Sequence, residues 1–583
     1  MNGKRIAQEH TFAAADKAEI FYRHWPSQNT EAPKRAIVMF HRGHEHSGRM
    51  QDVVDSIGMP DYHCFAWDAR GLGRSPGVRG AAENFGVFIK DANCFIQHIV
   101  EIYGIAVEDI AVVAQSVGAV IAATWVHDYA PNIRCMVLAS PALKVKLYVP
   151  FARSFLALQQ KFKPNGFVNS YVKAKFLTHD KIRIASYESD PLITRPIAVN
   201  ILLELYETAE RLIQDAAAIT TPTQFLVSGS DWVVHQKPMQ QLYEKLGAQV
   251  KEYHSFPGFF HDTLGEENRQ LPLSKAREFI EKQFKTPFAQ ADLTRCDQRG
   301  FTFNEFQQLQ QPLSALTPKG FYYWMTRLNI QLGSLASTGL KLGIDTGFDS
   351  GSTLDYVYEN QARGKGFLGR IADRTYLNAI GWRGIRIRKQ HIEALLTQAS
   401  ECLRKKNQPV RIMDIAAGHG RYVLDVAAKV QAEHVLLRDY SDLNVTAGRA
   451  LIKQRGLERV ARFETGDAFD AASIAAVSPK PTIAIVSGLY ELFPENTPIT
   501  ASLSGIYQAL EAGGYLIYTN QPWHPQLELI ARTLTSHRQN KSWIMRRRTQ
   551  REMDQLVAAA GFEKLDQWTD TWGIFSVSLA RKR

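Results

Sequence analysis

At 583 residues the chain is too long for one hydrophobic core, and two or more domains are expected. Its 45% hydrophobic and 22% charged content is ordinary for a globular protein. The formal charge of +11 fits an anionic partner such as nucleic acid, a phospholipid surface or a phosphate ester, and equally a solvated basic surface. Five cysteines without CxxC spacing argue against a disulfide framework and for a reducing compartment. The N-terminal segment lacks the apolar run of a secretory signal, and no uncharged apolar run approaches the roughly 18 residues of a spanning helix. A cytoplasmic protein is expected, with peripheral contact to an anionic membrane left open.

The first half alternates strands with helices. RAIVMFH, HCFAWDA, DIAVVAQS, RCMVLASP and TQFLVSGS are short apolar runs that end in small or polar residues, as buried parallel strands do. ENFGVFIKDANCFIQHIVEIYG is a helix of the same α/β pattern. The segment KVKLYVPFARSFLALQQKFKPNGFV, between the strands ending at Ser140 and Ser228, is expected in a lid.

A connector is expected from about residue 286, where FNEFQQLQQPLSALTP is Gln-rich and broken by proline. Arg295 and Arg299 at would-be ligand positions exclude a calcium loop at DQRGFTFNEF. GFYYWMTRLNIQLGSLASTGLKLG reads as an amphipathic helix, packed on a domain or lying at a membrane interface. Arg363, Lys365, Arg370, Arg374, Arg383, Arg386, Arg388 and Lys389 follow as phosphate-binding candidates or a solvated basic face. Strand–helix alternation then restarts with VRIMDIA, HVLLRDYS, ARFETGDAF, TIAIVSG and GYLIYTN, and the C-terminus reads as two late strands. The expected division is 1–285 (lid about 143–215), a connector with a helical, basic segment over 286–390, and 391–583.

Ala114-Gln115-Ser116-Val117-Gly118 sits between an apolar strand and a small-residue helix, the context of a nucleophile elbow. Ala114 replaces the usual first glycine by one methyl group. Asp231 lies just beyond a later strand and His261 in a loop after the next, in the order serine, acid, histidine. His254 and Asp262 are the rival base and acid. The stretch His41-Arg42-Gly43-His44-Glu45-His46-Ser47-Gly48-Arg49, with Asp68-Ala69-Arg70-Gly71-Leu72-Gly73-Arg74-Ser75 after it, resembles the monoacylglycerol lipase and lysophospholipase branch of the α/β-hydrolases. That resemblance implies an oxyanion hole of the Gly43 and Val117 amides. Arg42 stands where the family has glycine, as a group that narrows the acyl pocket or adds a cation. A metal reading of His41, His44 and His46 is disfavoured by the same match.

In the second half, Asp414, Ala416, Gly418 and Gly420 form a strand–turn–helix. It resembles the first motif of class I S-adenosylmethionine-dependent methyltransferases, with Ala416 for a glycine. Asp439 ends the next strand, where a carboxylate can take ribose hydroxyls. Asp467 and Ala468 end the third, where the family contacts adenine. Asn520, Trp523, His524, Tyr490 and Glu491 fall on the acceptor side, as acid–base groups or as structure. The whole chain, through GFDSGSTLDYVYENQ, IGWRGIR and NQPWHPQLE, resembles bacterial fusions of an α/β-hydrolase with a class I methyltransferase, the YnbC type. This implies an α/β-hydrolase fold followed by a Rossmann-like methyltransferase fold. It also implies a small-molecule or lipid ester substrate, an unknown methyl acceptor, S-adenosylmethionine as cofactor, and no metal. One domain serving only as a binding module, and a nucleic-acid methyltransferase with an auxiliary hydrolase, stay open as alternatives, although no nucleic-acid partner is expected.

Overall fold

A computed structural model describes residues 4–149, 151–538 and 541–583. The chain divides into two compact units, Met1–Ala291 and Asp292–Arg583. No helix among the described residues is long and apolar enough to cross a membrane.

The strands of the first unit are β1 (Gln8–Ala13), β2 (Glu19–Trp25), β3 (Ala36–Phe40), β4 (His63–Trp67), β5 (Ile110–Gln115), β6 (Cys135–Ala139), β7 (Phe167–Asn169), β8 (Pro196–Ala198), β9 (Thr223–Ser228) and β10 (Lys251–Phe256). Eight form one sheet in the order β1-β2-β4-β3-β5-β6-β9-β10. From β4 to β10 every neighbouring pair is parallel. Every residue of β3, β5 and β6 is buried, because helices cover both faces of the sheet. Phe40, Trp67, Phe95 and Trp125 fill one face, and Trp25, Met50 and Phe279 the other. The functional loops leave the carboxyl ends of β3, β5, β9 and β10, where an open α/β sheet places its ligands.

The lid between β6 and β9 contains helices Ala152–Phe162, Lys181–Ser189 and Val199–Gln214 and the antiparallel pair β7–β8. The first of these helices exposes Phe155, Leu158 and Phe162 on one stripe. The last is tied down internally: Arg211 donates to Asp128, and His127 bonds Asp215 at 2.7 Å.

The strands of the second unit are β11 (Arg411–Asp414), β12 (His434–Asp439), β13 (Ala461–Thr465), β14 (Ile483–Val486), β15 (Tyr515–Asn520), β16 (Phe562–Thr569) and β17 (Ser576–Lys582). Their order is β13-β12-β11-β14-β15-β17-β16, with β17 antiparallel to both neighbours. This is the Rossmann-like arrangement implied by the sequence, with the strand order turning between β11 and β14.

The residues expected to form a connector belong to this second unit. Phe301–Gln310, Pro318–Ser334, Thr338–Thr346, Gly351–Glu359 and Gly366–Leu377 are all helices. The amphipathic stretch is two helices rather than one, because Ser337 caps the second by accepting from the Leu340 amide. The Ser337 hydroxyl donates to buried Asp373, which also accepts from Tyr356. Arg327 donates to the Arg532 carbonyl at 2.5 Å. Ile380–Lys405 then lays Ile392, Leu395, Leu396, Ala399 and Leu403 against the sheet at helical spacing. The basic cluster is thus split. Arg388 is buried, Lys389 pairs with Glu393 and Asp425, Arg386 donates to Leu377, and Lys365, Arg370 and Arg374 face solvent.

Candidate functional site

In the first unit, β5 runs straight into helix Val117–Tyr129, and Ser116 takes the turn between them at φ 57° and ψ −118°. An L-residue reaches this region only when its surroundings hold it there. The hold comes from the Ser116 amide, which donates to Ala139 at 2.9 Å, and from Gly118. A Cβ on Gly118 would stand 2.4 Å from the His41 carbonyl oxygen, so only glycine lets the helix approach β3. Ala114, two residues before the serine, is fully buried in the sheet core without such a conflict.

The three residues expected to cooperate are brought together. Ser116 Oγ lies 2.8 Å from His261 Nε2, and His261 Nδ1 lies 2.7 Å from Asp231 Oδ2. Asp231 Oδ1 accepts from the amides of Val233 and Val234 at 2.7 and 2.9 Å. Burial opposes the charge on Asp231, but His261 and these two amides outweigh it and hold the carboxyl below its ordinary range. Because Asp231 accepts, His261 carries its proton on Nδ1 and offers Nε2 to the serine hydroxyl. A Cβ on Gly43 would touch Val117 Cγ2 at 3.0 Å, so the two residues are neighbours beside the nucleophile turn. Neither amide donates a hydrogen bond within the described residues.

The rivals are occupied elsewhere. His254 lies on β10 beside Glu252 at 3.2 Å. Asp262 accepts from Arg183 at 2.5 Å and from Gln115 at 3.1 Å. The Arg42 guanidinium is buried against Glu45 at 2.5 Å and Asp262 at 3.3 Å, so its charge is taken up within the protein. His41, His44 and His46 bond separate partners, the Arg42 carbonyl, the Thr194 carbonyl and Asp190. The last two tie the loop after β3 to the lid.

In the second unit, the carboxyl ends of β11, β12 and β13 surround a cavity of about 1020 Å³. Ala416, Gly418, Gly420, Asp439, Asp467 and Ala468 line it. Gly418 and Gly420 hold φ of 58° and 74°, and a Cβ on Gly420 would strike Leu437 at 2.3 Å. Asp439 accepts from the Gly418 and Ser441 amides, both at 2.9 Å, and from Asn444 at 3.0 Å. A carboxylate has about four acceptor positions, so one remains for a ligand hydroxyl. A glycine turn, a carboxylate at the end of β12 and an Asp-Ala pair at the end of β13 fit an adenosine-bearing cofactor such as S-adenosylmethionine.

Asp414 departs from its expected place. It is fully buried behind the turn and does not line the cavity. Its Oδ2 accepts from Tyr422 at 2.5 Å, and burial pushes its carboxyl up to about 7. It positions the turn and has no access to a ligand.

One wall of the cavity carries no recognisable sequence motif. Ser350, Ser352, Leu354, Asp355 and Tyr358, at or within helix Gly351–Glu359, line the cavity, and Arg421 clamps Asp355 at 2.5 Å. The only signal was the phrase GFDSGSTLDYVYENQ, which carries no ligand motif. Of the acceptor-side residues, Tyr490 donates to Ser502 at 2.9 Å in the core, and Asn520 donates to the Arg548 carbonyl at 3.1 Å. Glu491 and His524 line a second, smaller cavity of about 230 Å³. It shares Asp349, Leu354, Arg388, Gly488, Leu492 and Trp543 with the large one.

A family model described as "Putative methyltransferase" matches residues 276–582, and one described as "Serine aminopeptidase, S33" matches residues 31–268. The "Uncharacterized protein YnbC" of Escherichia coli (strain K12) is 52% identical over 584 residues, 100% of both chains. The monoacylglycerol lipase of Mycolicibacterium smegmatis is 25% identical over 47% of this chain and 96% of its own. Human monoglyceride lipase is 27% identical over 42% of this chain and 81% of its own. The chain therefore belongs to the family of the Escherichia coli protein, in which an α/β-hydrolase unit related to monoglyceride lipases precedes a unit of the methyltransferase family.

Proposed function

We propose that the protein is a bifunctional enzyme, a serine ester hydrolase joined to an S-adenosylmethionine-dependent methyltransferase. The observation that carries the first half is the unbroken Ser116–His261–Asp231 chain of hydrogen bonds. His261 Nε2 takes the hydroxyl proton as Ser116 Oγ attacks the ester carbonyl carbon. Asp231 stabilises the imidazolium that forms. The oxyanion falls to the free amides of Gly43 and Val117. Collapse expels the alcohol with the proton from His261, and water attacks the acyl-serine by the same path.

The ester is lipid-like, a monoacylglycerol or a lysophospholipid. The exposed Phe155, Leu158 and Phe162 stripe of the lid, with Lys161 and Lys163 beside it, supports an apolar substrate drawn from an anionic lipid surface. Hydrolysis of monooleoylglycerol by wild type, and its loss by at least 1,000-fold in Ser116→Ala, tests the reading. Equal turnover by both proteins would refute it. Vesicles of phosphatidylglycerol should retain the chain in flotation, and vesicles of phosphatidylcholine should not.

In the second unit, Asp439 would accept from one ribose hydroxyl of the cofactor, Asp467 and Ala468 would hold the adenine, and the turn at Gly418 and Gly420 would pass its backbone close by. The bound cofactor would supply an electrophilic methyl group. The protein's part is to position the acceptor and exclude water. Calorimetric titration with S-adenosylmethionine tests this half, and absence of binding would overturn it. Five cysteines that form no disulfide favour a reducing compartment.

A further inference from the structure

The smaller cavity of the second unit adjoins the larger one, with which it shares six lining residues. Its apolar walls are Leu354, Trp382, Ile385, Trp543 and Phe575, and its polar lining includes His524 and Glu491 beside Asp349 and Arg388. His524 Nδ1 accepts from the Gln526 amide at 3.0 Å, so the proton sits on Nε2. Nε2 faces Gly381, where a Cβ would stand 2.9 Å away, and the missing side chain leaves this donor uncovered. Burial pushes the His524 ring down to about 4, so at neutral pH it is an uncharged donor.

Glu491 is more than nine-tenths buried, and Arg388 holds its Oε1 at 3.3 Å. Its Oε2 has no hydrogen-bond partner, which is costly for a buried carboxylate unless a ligand supplies one. Arg388 balances the Glu491 charge, and Asp349, the other carboxylate of the lining, is taken up by the Ser536 hydroxyl and the His537 amide. A hydroxyl can accept from His524 and donate to Glu491 at once and, unlike an aliphatic amine, is uncharged at neutral pH.

We propose that this cavity is the methyl-acceptor site and that it takes an uncharged, largely apolar molecule through one hydroxyl group, held between His524 Nε2–H and Glu491 Oε2. The proposal rests on the methyltransferase reading and names its acceptor class. In the transfer, the hydroxyl oxygen bonds the methyl carbon of S-adenosylmethionine. The carbon–sulfur bond breaks with its electron pair left on sulfur, and the hydroxyl proton passes to Glu491. The product is a methyl ether.

The test is calorimetry on the full chain with Ser116 first capped by a long-chain alkyl fluorophosphonate, which fills the hydrolase site. Three probes of one shape are compared: 2-naphthol, 2-methoxynaphthalene, which can accept but not donate, and naphthalene, which can do neither. Binding is expected to fall in that order, at least fivefold per step. Gly381→Ala covers the His524 donor with one methyl group and favours the helix it lies on. It should cut 2-naphthol affinity at least tenfold while S-adenosylmethionine affinity stays within threefold. Ile385→Phe, which fills the cavity, should weaken all three probes. Equal affinity for the three probes, undiminished 2-naphthol binding in both variants, or preference for the cation 2-naphthylmethylammonium would each overturn the proposal. Loss of S-adenosylmethionine binding in wild type would instead overturn the reading beneath it.

Discussion

Gly118→Ala is the sharpest probe of the hydrolase elbow. The added Cβ would lie 2.4 Å from the His41 oxygen and 2.6 Å from the Phe40 oxygen, both backbone atoms that cannot rotate away. Relief to an ordinary contact requires the helix start and the end of β3 to part by about 1 Å. That movement carries the Val117 amide away from Gly43 and Ser116 away from His261. A misplacement of about 1 Å in a catalytic constellation costs on the order of 100-fold in rate. Overpacking costs about 1–3 kcal/mol, offset by about 1 kcal/mol from the better helix propensity of alanine, so stability should fall by only about 0–2 kcal/mol. The assay is kcat/KM for p-nitrophenyl butyrate beside a urea melt. Ala114→Gly, which restores the commoner glycine, is the control and should stay within threefold of wild type. A Gly118→Ala enzyme within threefold of wild type would refute the close-approach reasoning.

Asp414→Asn should make the second unit more resistant to unfolding at pH 8 and leave it unchanged near pH 4. The folded carboxyl titrates at about 7 and the unfolded one near 3.8, so wild type loses stability as pH rises through that window. The difference reaches about 4 kcal/mol at 1.36 kcal/mol per pH step, and pulse proteolysis in urea measures it. A constant difference across pH 4–8 would contradict the assignment. Asp439→Ala removes the carboxylate offered to the ribose, and S-adenosylmethionine affinity should fall about 10- to 100-fold by calorimetry, one hydrogen bond to a charged group being worth about 1.5–3 kcal/mol. A change under fivefold would remove Asp439 from the site. Phe155→Ser with Phe162→Ser should lower retention on phosphatidylglycerol vesicles while p-nitrophenyl butyrate hydrolysis stays within twofold. Unchanged retention would move the lipid contact off the lid.

The sheets were legible because their strands are continuous apolar runs buried on both faces, such as β3 and β5. Ser116, Asp231 and His261 were legible because strand order fixes which loops meet at one end of a parallel sheet. The helices between residues 301 and 377 were not read as part of the second unit. Their glycines, prolines and glutamines resemble linker composition, and their folding depends on distant partners such as Asp373 with Ser337 and Arg532 with Arg327. The fate of Arg42 was equally hidden, since Asp262 and Glu45 neutralise it only once the chain has folded. Asp414 shows the limit of a motif: the pattern gave its neighbours to the cavity, while the strand's pleat turned its own side chain inward.

Ser116 is proposed as a working nucleophile in a chain that also holds a methyltransferase-family unit. Labelling the folded protein with an alkyl fluorophosphonate and mapping the adduct by mass spectrometry tests it directly. A single adduct on the peptide bearing Ser116, absent in Ser116→Ala and slowed at least 100-fold in His261→Ala, is the predicted result. No adduct, or one on another residue, would contradict it.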